Sequence, residues 1–436
     1  MPVETPAILD LIGRVDPAAP ALVVEGAPPL AWGVLRRQVA ERAARLRRGE
    51  EKVLIRPAGE PLETAIDLFS ALQAGIALFP YDPALPAATL APLKQVARFG
   101  GAGPSLLVAT SGSEHSPRLV ELPVASLMAS AHAAVVRFGL EEGDRWLDPL
   151  PLCHVGGIAV LLRALRVGAT VHLAGRFDPD GLWNTLRREP VTHLSLVPAM
   201  LGRLLERAGS GAPPARLRVV LVSGAALSPE LAQRALGRGW PLWIAYGASE
   251  TASAVAARPL QEADGEPERV GPPLPGVRLE IEGRGGEGRI VVSGPMVAGG
   301  YLGGRGEEEL QGDGRFRSRD LGRLTPEGEL VVIGRMDEAL IVGGENLHPA
   351  QVETVLAGAP GIGEVAVAGL PDPEWGARLI ACYTGEASAE SLVAWSRERL
   401  PGPWRPREWR RLASLPRLAS GKPDRRRLRR LLSVRG

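Results

Sequence analysis

A chain of 436 residues, 45% hydrophobic and 23% charged, has ordinary globular usage and room for about three average domains. Lys and Arg number 51 against 49 Asp and Glu, and the resulting net charge of +2 excludes the strong basic field of a general nucleic-acid binder. No window reaches about 18 uncharged apolar residues, since even VGGIAVLLRALRVG carries Arg163 and Arg166, so no membrane-spanning helix is expected.

The opening MPVETPAILD has neither a basic start nor an apolar core, and no signal peptide is expected. Cys153 and Cys382 lie far apart, which argues against a disulfide framework and fits a cytoplasmic chain. ALVVEG and LAWGVLRRQVAERAARLRRG predict a hairpin strand and an amphipathic helix, because Leu35, Val39, Ala43 and Leu46 recur at helical spacing. KVLIRP reads as a buried strand. ETAIDLFSALQAGIALFPYDP reads as a helix stopped at Gly75 and a strand ending at Pro80. Short strands alternating with helices predict an α/β fold with mostly parallel, covered sheets.

LLVATSGSEHSPR, Leu106 to Arg118, is a buried strand that runs into hydroxyls and a glycine. Small residues let backbone N–H groups approach phosphate oxygens, and hydroxyls add donors. It is not a Walker A loop, because no Gly-Lys-Ser/Thr follows. Taken alone it fits a phosphate cradle and a polar surface loop about equally. LDPLPLCHVGG then brackets Cys153 and His154 with Pro151 and Gly156-Gly157, and an apolar helix follows to Gly168. His172 and His193 read as structural, and Cys153 as packing.

Three strand ends in succession carry small and polar residues. VTHLSLVPAML breaks at Pro198, LRVVLVSGAALSPELAQRAL carries Ser223-Gly224-Ala225-Ala226, and PLWIAYGASETASA carries Tyr246-Gly247-Ala248-Ser249-Glu250. Open α/β sheets bind ligands at the carboxyl edge. A Gly- and Pro-rich run, VGPPLPGVRLEIEGRGGEGRIVVSGPMVAGGYLG, predicts a small β-barrel-like part.

The stretch Arg317 to Pro349 predicts a hairpin with its turn at Thr325–Gly328, then a further strand ALIV and a glycine turn. Asp320, Arg335 and Asp337 interrupt its apolar fabric. After Asp337 the pattern resets to helix, strand, strand and helix, with Ser388 as an N-cap, a unit large enough to be a domain. Near its end, LPRLASGKPDRRRLRRLL holds Lys422, one of only three lysines beside Lys52 and Lys94.

These motifs, in this order, resemble the adenylate-forming superfamily of acyl-CoA synthetases, adenylation domains and luciferases. The resemblance covers most of the chain. It implies a large domain over 1–336 that binds ATP and an acid, and a small mobile α+β domain over 337–436. Thr110, Ser111, Gly112, Ser113, Pro117 and Arg118 fall in register with the family's phosphate loop, while Glu114 and His115 replace a hydroxyl and a glycine. The resemblance puts His154 near the acid's carboxylate and acyl pocket and lays Gly224 and Ala225 along adenine. Tyr246 and Gly247 would face the adenine, Ser249 the α-phosphate, and Glu250 would hold magnesium. Asp320 would hold the ribose hydroxyls, Arg335 the ribose and phosphate, and Asp337 would be the pivot. Gly343, Gly344, Glu345 and Asn346 would line the thiol tunnel. Pro416, Gly421, Lys422, Asp424 and Arg425 match the segment of the catalytic lysine.

The implied chemistry is acid–thiol ligation with ATP, Mg2+ and CoA, without nucleic acid or membrane insertion and with a homodimer left open. Within the family, the short large domain and the PLCHVGG, SLVPAML and GASETAS segments look most like the o-succinylbenzoate–CoA ligases of menaquinone synthesis. Other aryl or short-chain acyl-CoA synthetases, a stand-alone adenylation protein that loads a carrier protein, and a non-catalytic relative stand as alternatives.

Overall fold

The computed structural model describes residues 7–101, 103–110, 118–261, 267–303, 308–310, 312–336, 340–342, 345–372, 376–417 and 423–433. Its largest sheet has eight strands in the order Ser253–Pro259, Leu242–Ala248, Val219–Val222, His193–Leu196, Arg145–Asp148, Thr170–Leu173, Pro20–Val24 and Leu30–Ala31. All internal pairings are parallel and only the two outermost are antiparallel. The central strands Thr170–Leu173, His193–Leu196 and Val219–Val222 are buried at every residue, as expected of a parallel sheet covered on both faces.

A second sheet orders Gly300–Leu302, Arg118–Pro123, Ser105–Thr110, Ala77–Tyr81 and Val53–Pro57, and a third, antiparallel five-stranded sheet contains the hairpin Arg315–Leu324 and Leu330–Arg335. The hairpin turn closes as the sequence predicts, with Gly328 N–H donating to Thr325 O at 2.9 Å. One difference lies just beyond it. Glu345 and Asn346, expected in a loop, belong to the strand Glu345–Leu347, which pairs antiparallel with Leu340–Val342. Extended residues there satisfy their backbone groups in a ladder that a longer loop would leave to water.

One continuous core runs from Ile8 to Leu330 through the large sheet. Residues 342–428 build separate clusters on the sheet of Ile362–Asp372, Gly376–Gly385 and Glu408–Arg411. Ser388 caps its helix as expected, accepting from Ser391 N–H at 3.1 Å. No helix among the described residues is long and apolar enough to cross a membrane.

His172 and His193 are core residues, as their sequence context suggests. His193 stacks on Trp146 at 4.9 Å, and its Nε2 donates to the Phe138 carbonyl at 3.2 Å. Burial pushes both imidazoles down to about 4, with Arg145 adding to the effect on His172. An unfolded histidine titrates near ~6.5, so below that pH the unfolded chain binds protons that the folded chain refuses. Stability is therefore expected to be complete above pH ~6.5 and to fall as pH drops toward ~4, by on the order of 2–3 kcal/mol per histidine. Urea midpoints measured from neutral to pH ~4.5 check this, and a flat profile would refute the buried-neutral assignment.

Candidate functional site

The carboxyl ends of three adjacent strands, His193–Leu196, Val219–Val222 and Leu242–Ala248, open on the same edge of the large sheet. Gly224 and Ala225 lie exposed there, and Gly224 has φ +83°, a conformation that side chains disfavour. The strand Leu242–Ala248 bulges at Tyr246 and Gly247 against its antiparallel neighbour. A Cβ on Gly247 would lie 2.0 Å from Ser253 O, so only glycine fits. The bulge re-aims the chain into the short 3-10 turn Ser249–Thr251, which carries Glu250. Just beyond it, Ala252 and Ser253 hold φ of +52° and +118°, left-handed values rare outside glycine.

Tyr246 and Asp320, predicted separately, meet directly: the phenol donates to Asp320 Oδ2 at 2.7 Å. Arg335 faces Asp320 across the hairpin and donates from Nη1 to Oδ1 at 3.4 Å. Ser318 Oγ accepts from Asp320 N–H at 3.1 Å. Burial and the neighbouring Asp320 carboxylate raise the Tyr246 phenol well above its usual range, so it stays a donor. This trio is a short carboxylate flanked by a flat ring and a guanidinium, which suits vicinal hydroxyls beside a heterocycle and a phosphate.

Glu250 is buried, and burial raises its carboxyl above the usual range while the Tyr301 hydroxyl opposes that. Tyr301 donates to Glu250 Oε1 at 2.7 Å, and Ala298 N–H donates to Glu250 O at 2.8 Å. Arg118 stacks on the Tyr301 ring at 4.1 Å, donates to the Tyr301 hydroxyl at 3.3 Å and pairs with Glu309 at 3.0 Å. Thr110 sits opposite Arg118 in paired strands, its hydroxyl donating to Arg118 O at 3.4 Å. The residues on either side of 111–117 are thus paired.

His154 stands at the N-terminus of the helix Val155–Val167, and burial lowers its pKa against the pull of Asp82, which keeps the imidazole neutral at pH 7. Burial pushes the Cys153 thiol up to about 12, so it is inert packing, as its sequence context suggests. Ser111, Gly112, Ser113, Asp337, Gly343, Gly344 and Lys422 lie outside the described residues, as do Glu114, His115 and Pro117. Tyr301 and Glu309 carry no motif signal in the sequence.

Among the described residues no cluster of three or more His, Cys, Asp or Glu could hold a metal alone. A single buried carboxylate, Glu250, is the hard-oxygen donor expected for magnesium, which is held by one or two carboxylates and completes its shell with phosphate and water. The residues fit that ion.

The AMP-binding enzyme family model matches residues 96–302, and the model for the AMP-binding enzyme C-terminal domain matches residues 351–422. The 2-succinylbenzoate–CoA ligases of Bacillus thuringiensis and Bacillus cereus are each 35% identical over 337 residues, 75% of this chain and 70% of theirs. The chain belongs to the AMP-binding enzyme family. As an AMP-binding enzyme it also superposes on solved structures. The o-succinylbenzoate CoA synthetase from Bacillus subtilis, in complex with its acyl-adenylate intermediate, gives a TM-score of 0.87 at 26% identity over 98% of both chains. The same Bacillus subtilis protein in complex with ATP and magnesium gives 0.85 at 26% identity, covering 98% of this chain and 100% of that one. An amide bond synthetase from Marinactinospora thermotolerans shares the AMP-binding enzyme fold at 24% identity, with a TM-score of 0.86 over 98% of this chain and 100% of that one.

Proposed function

We propose that this AMP-binding enzyme activates a carboxylic acid with ATP and passes the acyl group to CoA, with o-succinylbenzoate as the acid. The observation that carries the reading is the convergence of Tyr246 and Glu250, at the carboxyl edge of the large sheet, with Asp320 and Arg335 of the antiparallel hairpin, beside the paired strands that flank residues 111–117. The names of the Bacillus relatives and the ligands of the Bacillus subtilis structures support the choice of acid.

In the first half-reaction the acid's carboxylate oxygen bonds to the α-phosphorus, and the bond to the pyrophosphate oxygen breaks. Tyr246 offers its ring to the adenine, Asp320 accepts from the ribose hydroxyls, and Arg335 balances phosphate charge. Glu250, with phosphate oxygens, would hold magnesium, which supplies charge neutralisation on the departing pyrophosphate. Lys422 follows the transferring oxygens as a compact cation. His154, held neutral, borders the acyl pocket. In the second half-reaction the thiol sulfur of CoA bonds to the acyl carbon and AMP leaves. The domains 1–336 and 337–436 exchange faces about Asp337 between the two steps, and Gly343–Asn346 replaces Lys422 beside the acyl carbon. The partners proposed are the acid, ATP and CoA; sedimentation tests a homodimer.

The test is pyrophosphate release from Mg-ATP with a panel of acids, with and without CoA. CoA-dependent turnover on o-succinylbenzoate is the expected result. Turnover on another acid alone would discard the substrate and keep the reaction. Silence with CoA but thioester formation on a carrier protein's phosphopantetheine arm would replace CoA as the acceptor.

A further inference from the structure

Four side chains outside the proposed substrate contacts form one continuous chain that ends on Glu250. Glu309 is buried, accepting from Arg118 Nη1 at 3.0 Å and from Arg319 Nε at 2.8 Å. Arg319 stands on the strand Arg315–Leu324, next to Asp320. Glu309 also accepts from Arg317 N–H through its carbonyl at 2.8 Å, which pins its backbone to the same strand. Held on one side by Glu309, Arg118 lies flat on the Tyr301 ring and donates to its hydroxyl at 3.3 Å. The hydroxyl proton is thereby directed away from Arg118 and onto Glu250 Oε1, at 2.7 Å. Tyr301 belongs to the strand Gly300–Leu302, which pairs with Arg118–Pro123. Its neighbour Ala298 holds the backbone of Glu250 as well.

We propose that Tyr301 is a positioning residue for the metal-binding carboxylate: anchored by Arg118 and Glu309, it occupies Oε1 of Glu250 and fixes the carboxylate so that its other oxygen meets the cation. This inference rests on the reading of Glu250 as a magnesium ligand given above. Carboxylate ligands are themselves oriented by hydrogen-bonding partners. Here the partner is a phenol made a stronger donor by a cation on its acceptor side. The arrangement also gives Arg118 a role distinct from phosphate contact. Its guanidinium is engaged by Glu309 and Tyr301, so it acts on the site through Tyr301.

Tyr301→Phe and Glu309→Gln test the inference, both nearly isosteric and both checked for unchanged thermal unfolding. Mn(II) bound with ATP is followed by electron paramagnetic resonance, and the magnesium dependence of pyrophosphate release is followed in parallel. Tyr301→Phe is expected to weaken Mn(II)·ATP binding about tenfold and to raise the half-saturating magnesium by a similar factor, with kcat at saturating magnesium within about twofold of the parent. Glu309→Gln is expected to shift both in the same direction by about threefold. ATP binding in EDTA should not change in either variant. Unchanged metal dependence in Tyr301→Phe would overturn the relay, as would a loss confined to kcat or to metal-free ATP binding. The resonance readout needs neither acid nor thiol. Failure of the parent to bind Mn(II)·ATP would therefore refute the functional reading and this inference with it, whereas an unaffected Tyr301→Phe refutes the inference alone.

Discussion

Lys422→Ala is expected to lower adenylate formation by roughly 100- to 1,000-fold while leaving thioester formation from preformed acyl-adenylate within about threefold of the parent. The asymmetry follows from where charge develops. As the α-phosphorus passes to the acid's oxygen, negative charge moves from the carboxylate onto the departing pyrophosphate and is shared by the non-bridging α-phosphate oxygens, and a preorganised cation beside them would act on the transition state more than on the ground state. On the proposed mechanism the thiol would attack the acyl carbon with the small domain turned and Lys422 withdrawn, so the ammonium would have nothing to stabilise. The proposed role favours lysine, since a planar guanidinium is wider than a single ammonium. Lys422→Arg should therefore fail almost as fully as Lys422→Ala. The flanks of the segment are firmly attached. Arg417 and Pro423 bridge antiparallel, Asp424 N–H donates to Pro416 O at 2.8 Å, and Arg425 pairs with Glu353 at 2.8 Å and donates to Val367 O at 3.0 Å. With these flanks held, Lys422→Ala is expected to leave the fold intact, which thermal unfolding of the variant checks. The check is ATP–pyrophosphate exchange for one half and thioester formation from synthetic acyl-adenylate for the other. Equal loss in both would count against the moving-domain assignment.

Much of this site was legible because its signals are local. The helix over Trp32–Arg48, the strand ends before Ser223 and Ser249, and the hairpin at Thr325 each follow from side-chain period or turn chemistry within a few residues. Tyr246 and Asp320 were each assigned to the nucleotide by resemblance, and the fold joins them. What was not legible depends on contacts between distant segments. Tyr301 reaches Glu250 across 51 residues and Glu309 reaches Arg118 across 191, and no periodicity encodes either. Arg163 marks a different limit. Its charge in VGGIAVLLRALRVG argues against a membrane-spanning helix, but the sequence does not say where the charge lies. The helix Val155–Val167 is covered all round at that level, and Arg163 is 2% exposed. Composition reports that a charge is present, whereas its surroundings are set by which elements pack over it.

That buried arginine carries the second large effect. Arg163→Met is expected to destabilise the protein by about 3–5 kcal/mol, the cost of breaking a buried charge arrangement by removing one partner. The Arg163 guanidinium lies 5.1 Å from the Trp146 ring and 5.6 Å from the Phe138 ring, and it donates to Ser253 Oγ at 3.0 Å. Burial lowers its pKa to about 10, opposed by Asp148, so it remains a cation at neutral pH. Asp148, 1% exposed, is raised well above the usual carboxylate range by burial, against the pull of the Leu150 N–H and of Arg163. Methionine fills most of the space but removes the charge that answers Asp148 and leaves the Ser253 hydroxyl without its donor. Ser253 is one of two left-handed non-glycine residues among those described, and the other, Ala252, is held through its carbonyl by Ser130 Oγ at 2.9 Å. A conformation of that kind persists only where its surroundings over-determine it, so losing one of its ties adds to the electrostatic cost. Pairing the change with Asp148→Asn separates the contributions. The double variant should be more stable than the sum of the singles, because the uncompensated carboxyl is gone. Urea unfolding of the parent, both singles and the double measures the coupling. An Arg163→Met protein within about 1 kcal/mol of the parent would mean that the aromatic cage, not the charge, sets the stability of this part of the core.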